Sequence, residues 1–193
     1  MEEQSPKGWY SRGYLPHFDG GEIPQMVTFR LADSVPQERL ESWRDQLRCL
    51  PPDEAEARLR QRVERYLDRG HGKCCLRRPD IAALTEESLL HFDGERYRLF
   101  AWVVMPNHVH ALFTPLMGYA LSRIVQTWKS FTAHRANPLL GRSGTFWQRE
   151  YFDRFIRDAR HFDTALSYVE NNPSKAGLCA LREDWPYSSA RRR

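Results

Sequence analysis

The sequence contains no apolar run approaching the roughly 18 residues that suggest a membrane span. Its opening, MEEQSPKGWY, lacks the basic-then-apolar order of a secretory leader. Both absences argue against membrane and exported classes, and a cytoplasmic location is expected. Cysteine is scarce: Cys49, Cys74, Cys75 and Cys179 are the only four in 193 residues, and none is in Cys-x-x-Cys spacing. The adjacent pair cannot easily aim two thiolates at one zinc, so reduced structural or surface thiols are expected. The chain also has no internal repeat and no low-complexity tract, which argues against a solenoid or a disordered linker.

What is present suits a single domain. The length and the 41% apolar content allow a substantial core, whereas two independent catalytic domains would be a tight fit. The formal charge of +4 and a pI near 9.0 admit a nucleic-acid partner without establishing one. The distribution of charge says more. Residues 36–69 hold eight Asp/Glu and eight Arg, a balanced stretch that reads as a solvated helical pair split by Pro51 and Pro52. Residues 120–160 hold eight Lys/Arg against three acids, and the chain ends in three arginines. The surplus positive charge therefore lies in the C-terminal half.

Along the chain, GWYSRGYLPHFDGGEIP reads as an irregular aromatic arm, and QMVTFRL over 25–31 as a first strand. Pro79 suits the first position of a helix that Asp93-Gly94 closes. Residues 96–105 and 108–114, separated by Pro106-Asn107, form a predicted β-hairpin. The spacing of Leu121, Ile124, Val125, Trp128, Phe131 and Thr132 predicts an amphipathic helix over 120–136, ended by Pro138 and Gly141. TFWQREYFDRFI is a predicted fourth strand. A last helix is predicted from a cap at Asp158 to Asn172, stopped by Pro173 and Gly177. This order predicts an α+β fold: a ferredoxin-like β-α-β-β-α-β sandwich with an antiparallel sheet and extra helices. The expected organisation is one domain over 1–193, with an N-terminal arm (1–24), a core (25–178) containing a helical insertion at about 36–92, and a basic C-terminal tail (179–193).

Two stretches carry candidate chemistry. In a strand, alternate side chains share a face, so His108 and His110 of MPNHVHALF project together while Val109 points into the core. Two neutral imidazoles about 7 Å apart at their Cα atoms can converge on one divalent ion. A third ligand must then come from elsewhere. The plainer alternative is a half-buried hairpin whose histidines hydrogen-bond to neighbours or face water. The second stretch is SYVENNPSKAGL, where Tyr168 and Asn172, four apart, share the edge of a buried helical stripe with His161. They read either as a packing tyrosine and a helix terminator, or as a phenol nucleophile with an amide oxygen as third metal ligand. A phenol with pKa near 10 is a poor nucleophile at neutral pH. A divalent ion on a phosphodiester neutralises its charge and orients it for in-line attack. The resulting phosphotyrosine would store the bond, so strand transfer would need no ATP.

The combination of WVVMPNHVHALF, WQREYFDRFIRDARHF, YVENNPSKAGL and DWPYSSA resembles the REP-associated tyrosine transposases, relatives of the small insertion-sequence HUH transposases. The resemblance covers nearly the whole chain, including the arm. It implies a ferredoxin-like core that cuts single-stranded DNA at structured repeats, using Mg²⁺ or Mn²⁺, and leaves a 5′-phosphotyrosine and a free 3′-hydroxyl in a bacterial cytoplasm. Carried over by motif, His108, His110 and Asn172 become metal ligands and Tyr168 the nucleophile; other branches place Gln at the position of Asn172. The arm then implies DNA recognition through Trp9, Tyr10, Tyr14 and His17, whose rings, interleaved with Arg12, can stack on unpaired bases. The alternative is an arm that packs across the sheet. Arg123, Lys129 and Arg149 are candidate phosphate contacts, although basic helix faces are commonly just solvated.

The expected function is thus a metal-dependent single-strand DNA endonuclease and strand transferase acting on repetitive extragenic palindromic hairpins. It would be a monomer or homodimer needing neither membrane nor ATP. A binding alternative is a hairpin DNA or RNA-binding protein with little or no cleavage. A third reading, a hydrolase of small phosphoesters, explains the histidines but leaves the arm and basic helix unused.

Overall fold

The computed structural model describes residues 8–11 and 16–192. In chain order its elements are a short pair β1 (Gly8–Ser11) and β2 (Pro16–Asp19), then β3 (Gln25–Arg30), α1 (Gln37–Leu47), α2 (Pro52–Asp68), α3 (Pro79–Leu90), β4 (Tyr97–Val104), β5 (His108–Pro115), α4 (Leu121–Leu139), β6 (Phe152–Phe155) and α5 (Ala159–Lys175). The main sheet is antiparallel throughout, in the spatial order β4-β5-β3-β6. With α3 and α4 as the crossovers, this is the expected ferredoxin-like order, and α1, α2 and α5 are additions to it. Among the described residues no helix is long and apolar enough to cross a membrane.

Both faces of the sheet are covered. Val27, Phe29, Val109, Ala111 and Phe113 point towards α3 and α4, where they pack with Ile81, Leu89, Val125 and Trp128. Ala101, Val103, Met105 and Leu112 point the other way, against Ala165 and Val169 of α5. In β4 the core face changes parity, from Tyr97 and Leu99 to Trp102 and Val104. A register irregularity between Leu99 and Ala101 accounts for this, because one extra residue in a strand exchanges its two faces. The helical pair α1–α2 has its own small core of Leu40, Leu47, Leu59, Val63 and Leu67.

Several sequence expectations are corrected. The opening segment is a β-hairpin, not an irregular arm, with Trp9 opposite Phe18 and Tyr10 opposite His17. Its pairing is fixed by docking on β6, a tertiary effect that local composition does not report. The fourth strand is shorter than expected, Phe152–Phe155, with Glu150 and Tyr151 buried before it; upstream, the chain meets the β3 side again at the Leu31–Trp147 bridge, where Phe146 O accepts from Ala32 N and Gln148 N donates to Arg30 O. Pro138 and Pro173 ride inside the last turns of α4 and α5, where a missing N–H interrupts little. The basic tail is a cover for the β4 edge. Tyr187 accepts from the Val104 amide (2.9 Å), Trp185 Nε1 donates to Val104 O (3.0 Å), and Ser189 Oγ accepts from the Trp102 amide (3.2 Å). Arg192 is engaged with Glu86 at 3.0 Å.

The β1–β2 pair is held to β6 by His17, which is only 1% exposed. One imidazole nitrogen meets Asp153 and the other meets Glu150 at 3.1 Å, while Asp153 also accepts from the Phe18 amide at 2.9 Å. Burial opposes protonation of His17, but the Asp153 and Glu150 carboxylates outweigh it and raise its pKa above the ordinary value. Its stabilisation is therefore complete below the free imidazole value of about 6.5 and is lost as pH rises through the raised folded value. Thermal midpoints are expected to decline above that pH in the wild type and to be flatter in His17→Gln. Parallel profiles in the two proteins would remove the clamp from the account.

Candidate active site beneath the second helix

The alternation of β5 sends His108 and His110 to the α5 face, where both are 1% exposed. Their Nε2 atoms converge to 3.0 Å, and the rings meet edge to face at 83°. Each Nδ1 has its own partner at 2.7 Å: Asn107 Oδ1 for His108, and Thr28 Oγ1, opposite in the β3–β5 register, for His110. Asn107 settles one tautomer. Its Nδ2 donates to Leu67 O (3.1 Å) and His71 O (2.9 Å), so its Oδ1 must accept from His108 Nδ1–H. The neutral His108 ring then carries its lone pair on Nε2, towards His110. Burial keeps both rings neutral, placing His108 well below the ordinary imidazole value and His110 at about 3.

Two helices close over this pair. Packing of Ala165 and Val169 on the sheet sets Tyr168 beside His110, with ring centroids 5.3 Å apart. One turn on, Asn172 is 2% exposed, and its buried Oδ1 has no hydrogen-bond partner among the described residues. From the other side α2 brings Glu64 to the Tyr168 hydroxyl and Asp68 towards His108, with Asp68 Oδ1 at 3.9 Å from His108 Nε2. Burial, then the Glu64 and Asp68 carboxylates, push the Tyr168 pKa far above that of a free phenol, so the hydroxyl is protonated at rest. Burial likewise raises Asp68 to about 6, against the pull of Lys175. A cleft of about 510 Å³ opens on Tyr168 between α2 and α5, lined also by Arg60, Glu64, Arg154 and His161.

The remaining sequence candidates form separate groups. Trp9 is 64% exposed and rests against Phe18 and Phe155, and the Tyr10 hydroxyl lies 3.3 Å from that of Tyr151. Arg12 and Tyr14 lie outside the described residues. His17, expected at a DNA surface, is instead buried in its carboxylate clamp. Arg123 and Arg149 are exposed. Lys129, expected on phosphate, donates to the Gln148 and Arg149 carbonyls at 2.8 Å each, so its ammonium anchors the segment before β6. Thr28, Glu64, Asp68 and the role of Asn107 escape sequence reasoning. The only available signal was the position of Asn107 inside MPNHVH.

Residues 87–172 match the family described as Transposase IS200 like, a span that contains His108, His110, Tyr168 and Asn172. Within that class the similarity is to REP-associated tyrosine transposases, as the sequence motifs suggested. The one so named from Escherichia coli (strain K12) is 30% identical over 98 residues, which is 50% of this chain and 56% of that protein. A relative from Haemophilus influenzae is 27% identical over 106 residues, 50% of this chain and 60% of that protein. This chain's match therefore spans somewhat more than half the length of these relatives. A solved REP-associated tyrosine transposase bound to a REP hairpin has the same fold, with a TM-score of 0.58 at 18% identity over 95% of this chain and 82% of that one.

The Asn107 arrangement makes a direct prediction. Asn107→Ala removes the donor to two carbonyls and the acceptor for His108, at a cost of about 1–3 kcal/mol in urea unfolding. Nitrogen NMR of the imidazoles should report the Nδ1–H form of His108 in the wild type and a mixture in the variant. An unchanged tautomer in Asn107→Ala would show that the amide does not set it.

Proposed function

We propose that this chain is a metal-dependent single-strand DNA nuclease and strand transferase that acts beside DNA hairpins, with Tyr168 as nucleophile. The observation that carries this reading is the meeting, within one chain, of a phenol, two converging imidazole nitrogens and an orphaned amide oxygen. The donor set fits a divalent ion. Two atoms bound to one ion at about 2.1 Å are about 3.0 Å apart when at right angles, and His108 Nε2 and His110 Nε2 are separated by 3.0 Å. His108 Nε2, His110 Nε2 and Asn172 Oδ1 would hold the ion, with imidazole and oxygen ligands suiting Mn²⁺ or Mg²⁺. Once bound, it supplies neutralisation of the scissile phosphate and orientation for in-line attack.

The chain's own groups supply the rest. Tyr168 Oη forms the new bond to phosphorus as the bond to the 3′ oxygen breaks, leaving a 5′-phosphotyrosine and a free 3′-hydroxyl. Glu64, at the Tyr168 hydroxyl, is placed to take the phenol proton, while the departing 3′ oxygen picks up a proton from water. Attack by a 3′-hydroxyl reverses the exchange and joins strands without ATP. Because Tyr168 and both histidines belong to one chain, no partner subunit is needed to complete the set. The hairpin partner is supported by the fold shared with a protein bound to a REP hairpin and by exposed Trp9, Arg123 and Arg149.

One observation favours the binding-only alternative: α2 covers the histidines, so the scissile phosphate has no open path to them while α2 is seated. Incubation with a labelled hairpin oligonucleotide and Mn²⁺ separates the two. A denaturant-resistant protein–DNA adduct is expected in the wild type, absent in Tyr168→Phe and abolished by chelator. Tight, salt-sensitive binding with no adduct in either protein would establish the alternative, and an adduct in Tyr168→Phe would exclude Tyr168 as nucleophile.

A further inference from the structure

We propose that Asp68, at the C-terminal end of α2, is a further ligand of the His108–His110 metal site. This makes the helical insertion part of the centre and not only its cover. The inference rests on the metal reading above.

Asp68 Oδ1 is buried without a hydrogen-bond partner among the described residues, although the side chain as a whole is 33% exposed. An unpaired carboxylate oxygen in such a position is costly unless something positive meets it. It faces His108 Nε2, the atom whose lone pair the Asn107 hydrogen bond exposes. At 3.9 Å the two atoms lie within the roughly 4.2 Å that limits two ligands of one ion at about 2.1 Å each. The second orphaned oxygen here, Asn172 Oδ1, belongs to a side chain that is 2% exposed. Asp68 and Asn172 thus each bring an unsatisfied oxygen on the helices that close over the two converging nitrogens.

The chemistry also favours a carboxylate. Two imidazoles and an amide carry no charge, and a single negative oxygen ligand strengthens the hold on a hard dication more than another neutral donor would. Among the described residues no three His, Cys, Asp or Glu side chains are already drawn together as a ligand set. On this proposal the Asp68 carboxylate would close the remaining gap when the ion binds, by rotation about its own side-chain bonds. Its backbone is already fixed, since Asn107 Nδ2 holds the carbonyl of the preceding residue, Leu67, and that of His71. One amide thus positions both the end of α2 and the first histidine.

The test is Mn²⁺ binding to the full chain, followed by electron paramagnetic resonance of the free ion, for wild type, Asp68→Asn, Asp68→Ala, the double variant His108→Ala/His110→Ala and the exposed control Asp45→Asn. Circular dichroism and the metal-free thermal midpoint verify folding, and two substitutions at Asp68 guard against one that fails to fold. Loss of a ligand or its orienting partner weakens metal affinity by about 10–100-fold. That loss is expected in both Asp68 variants, with no change in Asp45→Asn and with binding abolished in the double histidine variant. Histidine-dependent binding that is unchanged in the Asp68 variants overturns this inference and leaves the metal reading intact. Absence of Mn²⁺ binding in the wild type, or binding that survives loss of both histidines, overturns the metal reading itself.

Discussion

The site depends on a strand that has protein on both faces. In β5, Val109, Ala111 and Phe113 are fixed in the core against α3 and α4, and the two-residue period then obliges His108, His110 and Leu112 to face α5. A slip of one residue would exchange the sets and drive imidazoles among aliphatic side chains. Burial of two imidazoles is costly, and the cost is offset because each ring finds a partner on an adjacent segment. Thr28 lies directly across the β3–β5 pairing and Asn107 immediately before the strand. The same hydrogen bonds leave Nε2 facing inward. The constraint that secures the core is also the one that brings two imidazole Nε2 atoms to one point.

Asn107 ties the end of α2, within the insertion between β3 and β4, to this arrangement. Asn107 is fully buried and uses both ends of its amide, donating towards the end of α2 and accepting from His108. Geometry at the histidines and the position of α2 are therefore not independent. Glu64 and Asp68, four residues apart, lie one turn apart on the side of α2 that meets Tyr168 and His108. The small core that α1 and α2 share through Leu40, Val63 and Leu67 keeps that side turned inward.

Much of the architecture was legible in the sequence because it rests on periodicity. The Pro106-Asn107 hairpin, the two-residue spacing of the histidines and the Tyr168–Asn172 edge all follow from strand and helix geometry. The acids of α2 were not legible for a physical reason: eight acids and eight arginines in one stretch read alike whether a given carboxylate meets water or an imidazole. The opening hairpin was missed because four-residue strands are stabilised by what they dock against, here Asp153 and Phe155. Lys129 and Arg192 show the converse. A basic residue counted as available for phosphate can be committed to backbone carbonyls or to Glu86 once the chain folds.

On the proposed reading, the charges around Tyr168 bear on how a nucleic acid would approach it. Glu64 and Asp68 both oppose a phosphate at the phenol, as they oppose its ionisation. The cleft beside Tyr168 is lined by Arg60, Arg154 and His161 but also by the acids Asp53, Glu56 and Glu64, with Glu56 paired to Arg60 at 2.9 Å. There, burial and the nearby charges of Arg60 and Arg157 hold the Arg154 pKa below its ordinary value. The cleft at the C-terminal ends of α2 and α5 is the more basic, with Arg65, Arg69, Arg77 and Lys175 against Asp68. On the proposed reading, a strand carrying one charge per nucleotide would be drawn to that end, and to reach the histidines it would have to displace the acid at the end of α2 or bring a cation that the acid can share.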